Sequence, residues 1–203
     1  MARIETVEAL RSLYSTVKQH TAKKELDELD DHSRRILSLS PFCLIGSSDG
    51  KGNADVTPRG DEPGFVQAYD SRTLLVPDRP GNNRLDTYTN ILSNSSVGML
   101  FLIPGIGETL RINGDAEIRD DEDLLERCAI NGRLPKTVMM ISIQTIFIHC
   151  PKSIIRSRLW DKEAQIKREA LPTLGQILRD QSGVVSTDES DKALVERLNK
   201  TLW

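Results

Sequence analysis

The chain has 203 residues, 38% of them hydrophobic and 28% charged, which fits one soluble domain with helical extensions. Its 27 Lys and Arg against 30 Asp and Glu leave a formal charge of −3, which gives no overall electrostatic footprint for nucleic acid or an anionic membrane. Cys43, Cys128 and Cys150 are too widely spaced for a zinc pattern or a disulfide framework and point to a reduced, cytoplasmic setting, and no apolar run approaches the ~18–20 residues of a membrane span.

Ile4, Val7, Leu10, Leu13, Tyr14 and Val17 recur at intervals of three and four and predict a first helix over 3–18. Leu26, Leu29, Ser33, Ile36 and Leu37 predict a second, ended at Ser40 by Pro41. Short apolar runs between turn residues then predict strands at 42–47 and 54–57, joined by SDGKGN, and at 64–69 and 73–76. A short helix over 85–92 follows the PDRPGNN loop. Strands at 97–103 and 109–118 flank PGIG, and 120–128 reads as a helix with an acidic first turn. The run VMMISIQTIFIH at 138–149 predicts a long strand with Ile141, Ile143, Thr145 and Phe147 on one face. Helices near 172–181 and 189–201 complete the chain, with 180–191 as a polar linker. The expected division is 1–40 as N-terminal helices, 41–160 as the barrel and 161–203 as a helical extension. Six or seven antiparallel strands without β-α-β alternation argue for a β-barrel with flanking helices.

Familiar catalytic signatures are missing. The sequence has no phosphate loop, no H-E-x-x-H and no G-x-S-x-G elbow, and GIGETL lacks the third glycine of a dinucleotide fingerprint. His20 and His32 fall in helical segments as surface or packing residues. His149 and Cys150 are strand neighbours facing opposite sides, a structural pair rather than a base and nucleophile. What stands out is DVTPRGDEPGF at 55–65 and VPDRPGNNRLDTYTNIL at 76–92, where Arg59, Arg79 and Arg84 lie close together with the Thr57 hydroxyl. Guanidinium groups bind phosphate oxygens bidentately while hydroxyls and backbone N–H groups fill the remaining acceptor positions, so this set suits a phosphate monoester. Arg84 opens the predicted short helix, whose first N–H groups favour an anion.

The ordered strings SPF, DVTPRGDEPGF, LLVPDRPGNNRLDTYTNIL, GMLFLIPGIGETLRINGDAEI and FIHCPKSIIRSRLW resemble the pyridoxamine 5'-phosphate oxidase-like FMN-binding split-barrel proteins, and most closely their bacterial oxidase-related subgroup. The resemblance implies a six-stranded antiparallel split barrel that dimerises with itself and binds FMN between protomers. It puts Thr57, Pro58 and Arg59 beside the flavin and its phosphate. Val76, Pro77, Asp78 and Arg79 would follow the ring edge, and Asn82, Asn83 and Arg84 would clamp the phosphate. Leu110 and Arg111, with Lys152, Arg156, Ser157 and Trp160, would approach from the other protomer, Lys152 or Arg111 stabilising the reduced ring. The implied activity is an FMN-dependent oxidoreductase passing electrons between a small-molecule substrate and O₂ or a nicotinamide. A non-enzymatic flavin-binding or sensing protein would need the same clamp, and a deazaflavin or haem could replace FMN in the same barrel. Residues 161–203 carry no counterpart of the arginine-rich substrate segment of true pyridoxamine phosphate oxidases, so the resemblance names no substrate.

Overall fold

Seven strands form one antiparallel sheet in a computed structural model that describes residues 3–19, 23–183 and 189–203; His20 and residues 184–188 of the predicted 180–191 linker lie outside them. The strands are β1 Phe42–Ser48, β2 Ala54–Gly60, β3 Gln67–Ala68, β4 Thr73–Pro77, β5 Ser96–Leu102, β6 Thr109–Arg119 and β7 Val138–His149. Their spatial order is β2-β1-β5-β6-β7-β4-β3. The strand beyond the expected six is β3, a two-residue piece that makes the predicted second hairpin with β4.

Alternation explains the core. Cys43 and Ile45 of β1, Val97, Met99 and Phe101 of β5, and Leu110, Ile112 and Ala116 of β6 are all buried at every second position. β7 keeps that phase only as far as Ile143. Its pairing with β6 jumps from Gly114↔Ile143 to Asn113↔Thr145, so Gln144 is an extra residue in the ladder. Such a bulge reverses which side chains face inward. Ile141, Ile143 and then Ile146 are therefore buried, and Phe147 turns to the outer face, against the single alternating face expected from the sequence.

The helices fit around this sheet. α1 Val7–Arg11 is capped by the Thr6 hydroxyl but buries nothing, and the apolar residues of the predicted 3–18 helix stand exposed. An isolated helix that short has little intrinsic stability, which accounts for the helix being one turn rather than four. α2 Asp31–Leu39 starts at Asp30, whose carboxylate accepts the Ser33 N–H at 2.7 Å, and it delivers Leu37 to the core. α3 Asp86–Ser93 lies against β1, β2 and β6 and buries Thr87, Tyr88 and Ile91. α4 Glu122–Arg127 packs Leu124 with Leu75, Cys128 and Val138 in a second apolar cluster. α5 Lys152–Ser157, α6 Leu174–Ser182 and α7 Asp191–Asn199 have no buried residues. Among the described residues no helix is long and apolar enough to cross a membrane.

Candidate functional site

A cavity of about 710 Å³ opens where β2, the loop from β4 into α3, and the 130–136 loop before β7 face one another. This falls within the few hundred to about 1,000 Å³ of ordinary small-molecule sites. Thr57, Pro58, Arg59, Pro77, Asp78, Arg79, Asn82, Asn83 and Arg84 all line it. The fold thus brings these nine residues of the β2 and β4–α3 segments to one place.

β2 positions the first group. It pairs with β1 through Ile45↔Thr57 and Cys43↔Arg59, which sends Thr57 and Arg59 toward the same side as the buried β1 residues and α3. Arg59 Nη1 donates to Thr57 Oγ1 at 2.8 Å, and the guanidinium lies 5.9 Å from the centre of the Tyr88 ring. Arg59 is half-buried and has no carboxylate within ion-pair distance among the described residues, so its charge is available to an anion. Behind it, burial and the loss of solvation push the Cys43 thiol up to about 12, which removes that sulfur as a nucleophile.

The loop from β4 supplies the second group. Asn82 Oδ1 accepts the Arg84 N–H at 3.0 Å, and Asn83 and Leu85 adopt left-handed backbone conformations at φ 58° and 60°. Those two turns set α3 off at Asp86, so Arg84 precedes the helix instead of opening it, and its exposed guanidinium meets Asp86 at 2.7 Å. An exposed pair of this kind contributes little and is easily exchanged for another anion. Tyr88 Oη donates to Asp78 at 2.9 Å; burial, and then the Asp78 charge, hold the phenol well above its ordinary range.

Arg79 has a different environment from the other two arginines. Its Nε lies 2.5 Å from Asp61, whose side chain is 1% exposed, and its Nη1 donates to the Cys128 carbonyl at 3.1 Å. Burial by itself would raise the Asp61 carboxyl, but Arg79, the Glu62 amide and the Trp203 indole override it and leave it below the ordinary carboxylate range. A group with a depressed folded pKa contributes stability that is present above its unfolded value, about 3.8, and disappears as pH falls through the folded value. Acid unfolding followed by tryptophan fluorescence should therefore lose part of its steepness below about pH 4 in Asp61→Asn.

The remaining expected residues lie elsewhere in the chain. Val76 and Leu110 are core residues, at 1% and 0% exposure. Arg111 sits on the outer sheet face, 5.1 Å from the Phe147 ring, near Lys24 over the same ring. Lys152, Arg156 and Ser157 stand exposed on α5, and Trp160 Nε1 donates to the Ile106 carbonyl at 2.7 Å. His149 packs edge-on against Phe147; burial first, then Arg111 and Lys24, lower its pKa, and His32 is exposed on α2.

Among the contributors to the cavity that the sequence does not single out as site residues are Phe65, Tyr88, Asp61 through Arg79, the 130–136 loop with Arg133 and Lys136, and Trp203. The readable signal was GRLPK at 132–136, a basic, proline-containing segment between a helix and a long strand.

A sequence model of the family described as pyridoxamine 5'-phosphate oxidase matches residues 29–150. No curated protein sequence matches the chain. Among solved structures, a variant of HupZ from Group A Streptococcus shares 18% identity at a TM-score of 0.50, over 59% of this chain and 98% of its own. A pyridoxamine 5'-phosphate oxidase candidate from Lactobacillus delbrueckii shares 20% at 0.48, over 61% and 98%. HutZ, the heme storage protein from Vibrio cholerae, shares 13% at 0.40, over 59% and 94%. At 18% identity the likeness to HupZ is one of fold alone. The family match spans strands β1 to β7 and every cavity residue except Trp203, and on it the chain belongs to the pyridoxamine 5'-phosphate oxidase family.

Proposed function

We propose that the cavity binds FMN and that the protein is an FMN-dependent oxidoreductase acting on a small molecule. The observation that carries this reading is the donor set: the half-buried, carboxylate-free Arg59 and the exchangeable Arg84, together with Asn82, Asn83 and Thr57, line one cavity. These groups suit a phosphate monoester, because cations and amide or hydroxyl donors satisfy its acceptor oxygens together. Pro58, Pro77, Phe65 and Tyr88 offer the apolar and aromatic surface that a flat ring requires. Redox chemistry would be supplied by the ring system, leaving binding, orientation and electrostatics to the protein. A haem reading has less support here: among the described residues lining the cavity only Tyr88 is of a haem-ligand type, and its hydroxyl is held by Asp78. Protein purified without added cofactor should show flavin absorbance, and heating should release FMN; a Soret band, or a colourless protein that takes up no added FMN, contradicts the reading.

We further infer a homodimer. The pairing registers Leu44↔Leu100, Leu100↔Arg111 and Arg111↔Phe147 set four residues in one row across the outer sheet face, none of them fully buried. Phe42, 37% exposed, extends its apolar end. A second copy covering this face would bring Arg111 and the exposed α5 residues Lys152 and Arg156 close to its partner's cavity, which is the role the family resemblance gives them. Sedimentation velocity should report twice the chain mass for the native protein, and Leu100→Glu should halve it and weaken FMN binding; a native monomer that binds FMN tightly would remove this part of the proposal.

A further inference from the structure

The cavity has one wall that comes from far along the chain. Trp203 lines it beside Arg133, although no other described residue of the C-terminal extension 161–203 contributes to the lining. Two polar contacts hold it there. The indole Nε1 donates to Asp61 Oδ1 at 3.0 Å, and Arg133 Nη1 donates to the Trp203 main-chain oxygen. Asp61 is the same carboxylate that Arg79 pairs with on its other oxygen. A single buried group therefore joins the β4 side of the cavity to the aromatic side chain that closes it.

We propose that Trp203 is a specificity-determining residue: its ring forms the ligand-side wall, controls which molecules reach the bound ring system, and is positioned by Asp61 and Arg133. This rests on the FMN reading for the identity of the bound ring, though not for the tether. Trp203 lies half-buried at the cavity rim, and an indole is a large, rigid and partly apolar surface that can stack on a planar ligand or exclude a bulky one. Its two hydrogen-bond partners, Asp61 and Arg133, both lie outside the named strands and helices. Displacing it would widen the entrance without disturbing Arg59, Thr57 or the Asn82 to Arg84 clamp.

The test uses the FMN-loaded protein and iodide as a small quencher. Trp203→Ala should raise the Stern–Volmer constant for the bound flavin's fluorescence at least threefold while FMN affinity stays within about threefold of native. Trp203→Phe, which keeps a ring but loses the N–H to Asp61, should also raise it, by a smaller factor. Unchanged quenching in Trp203→Ala overturns the proposal, as does a loss of FMN affinity above tenfold, since Trp203 would then be a cofactor ligand. The tether is measured without any flavin. The chain has two tryptophans, so Trp160→Phe leaves Trp203 as the sole emitter. In that background Arg133→Met and Asp61→Asn should each raise acrylamide quenching of Trp203 about twofold, and no change in either variant overturns the tether. If the native protein takes up no FMN, the FMN reading fails and this second measurement still decides whether Trp203 is held as described.

Discussion

Arg79→Ala should be the most destabilising single change at the cavity. It leaves the Asp61 carboxylate, 1% exposed, without its guanidinium partner. Breaking a buried ion pair on one side costs about 3–5 kcal/mol, because the remaining charge is desolvated and uncompensated. Asp61 keeps the Glu62 amide and the Trp203 indole, which argues for the lower end of that range. At about 2–4 °C per kcal/mol for a chain of this size, the expected fall in Tm is on the order of 10 °C, measured by calorimetry. The double variant Asp61→Ala with Arg79→Ala should recover part of the loss, since it strands no charge. Equal destabilisation by the single and double changes would show that the stranded Asp61 carboxylate is not what makes Arg79→Ala costly.

Arg59→Ala should have the largest effect on cofactor affinity while leaving the fold intact. The guanidinium is half-buried, oriented by Thr57 Oγ1 and placed against the Tyr88 ring, so little ordering remains for a ligand to impose. A hydrogen bond to a charged group contributes about 1.5–3 kcal/mol, which corresponds to roughly a 10- to 150-fold loss of FMN affinity by fluorescence titration. Arg84→Ala should weaken binding less, by about tenfold, because Arg84 is exposed and must first leave Asp86. The reverse ranking would make the exposed loop, and not β2, the principal anchor.

How much of this was legible beforehand depends on the range of the interaction involved. Strand alternation and turn residues are local, and they located β1, β2, β5, β6 and β7 as well as the residue set from Thr57 to Arg84. The Gln144 bulge was not legible, because an extra residue in one strand is defined only against its partner, here Asn113 and Gly114 of β6. Arg79 read like Arg59 and Arg84 in sequence. Its pairing with Asp61 depends on the loop after β2 meeting the end of β4, which no spacing reveals. The predicted first helix overshot for the opposite reason: a good helical stripe from Ile4 to Val17 stays exposed among the described residues. Trp203 was the least accessible of all, since it reaches Asp61 across most of the sequence.

Comparing FMN with riboflavin tests the central claim most directly. The two ligands share the ring and ribityl chain and differ by the phosphate that Arg59 and Arg84 are taken to bind. Titrated into protein freed of bound cofactor, FMN should bind at least about 100-fold more tightly, as two charge-assisted contacts require. Equal affinities would mean that the arginines gathered at this cavity do not recognise a phosphate.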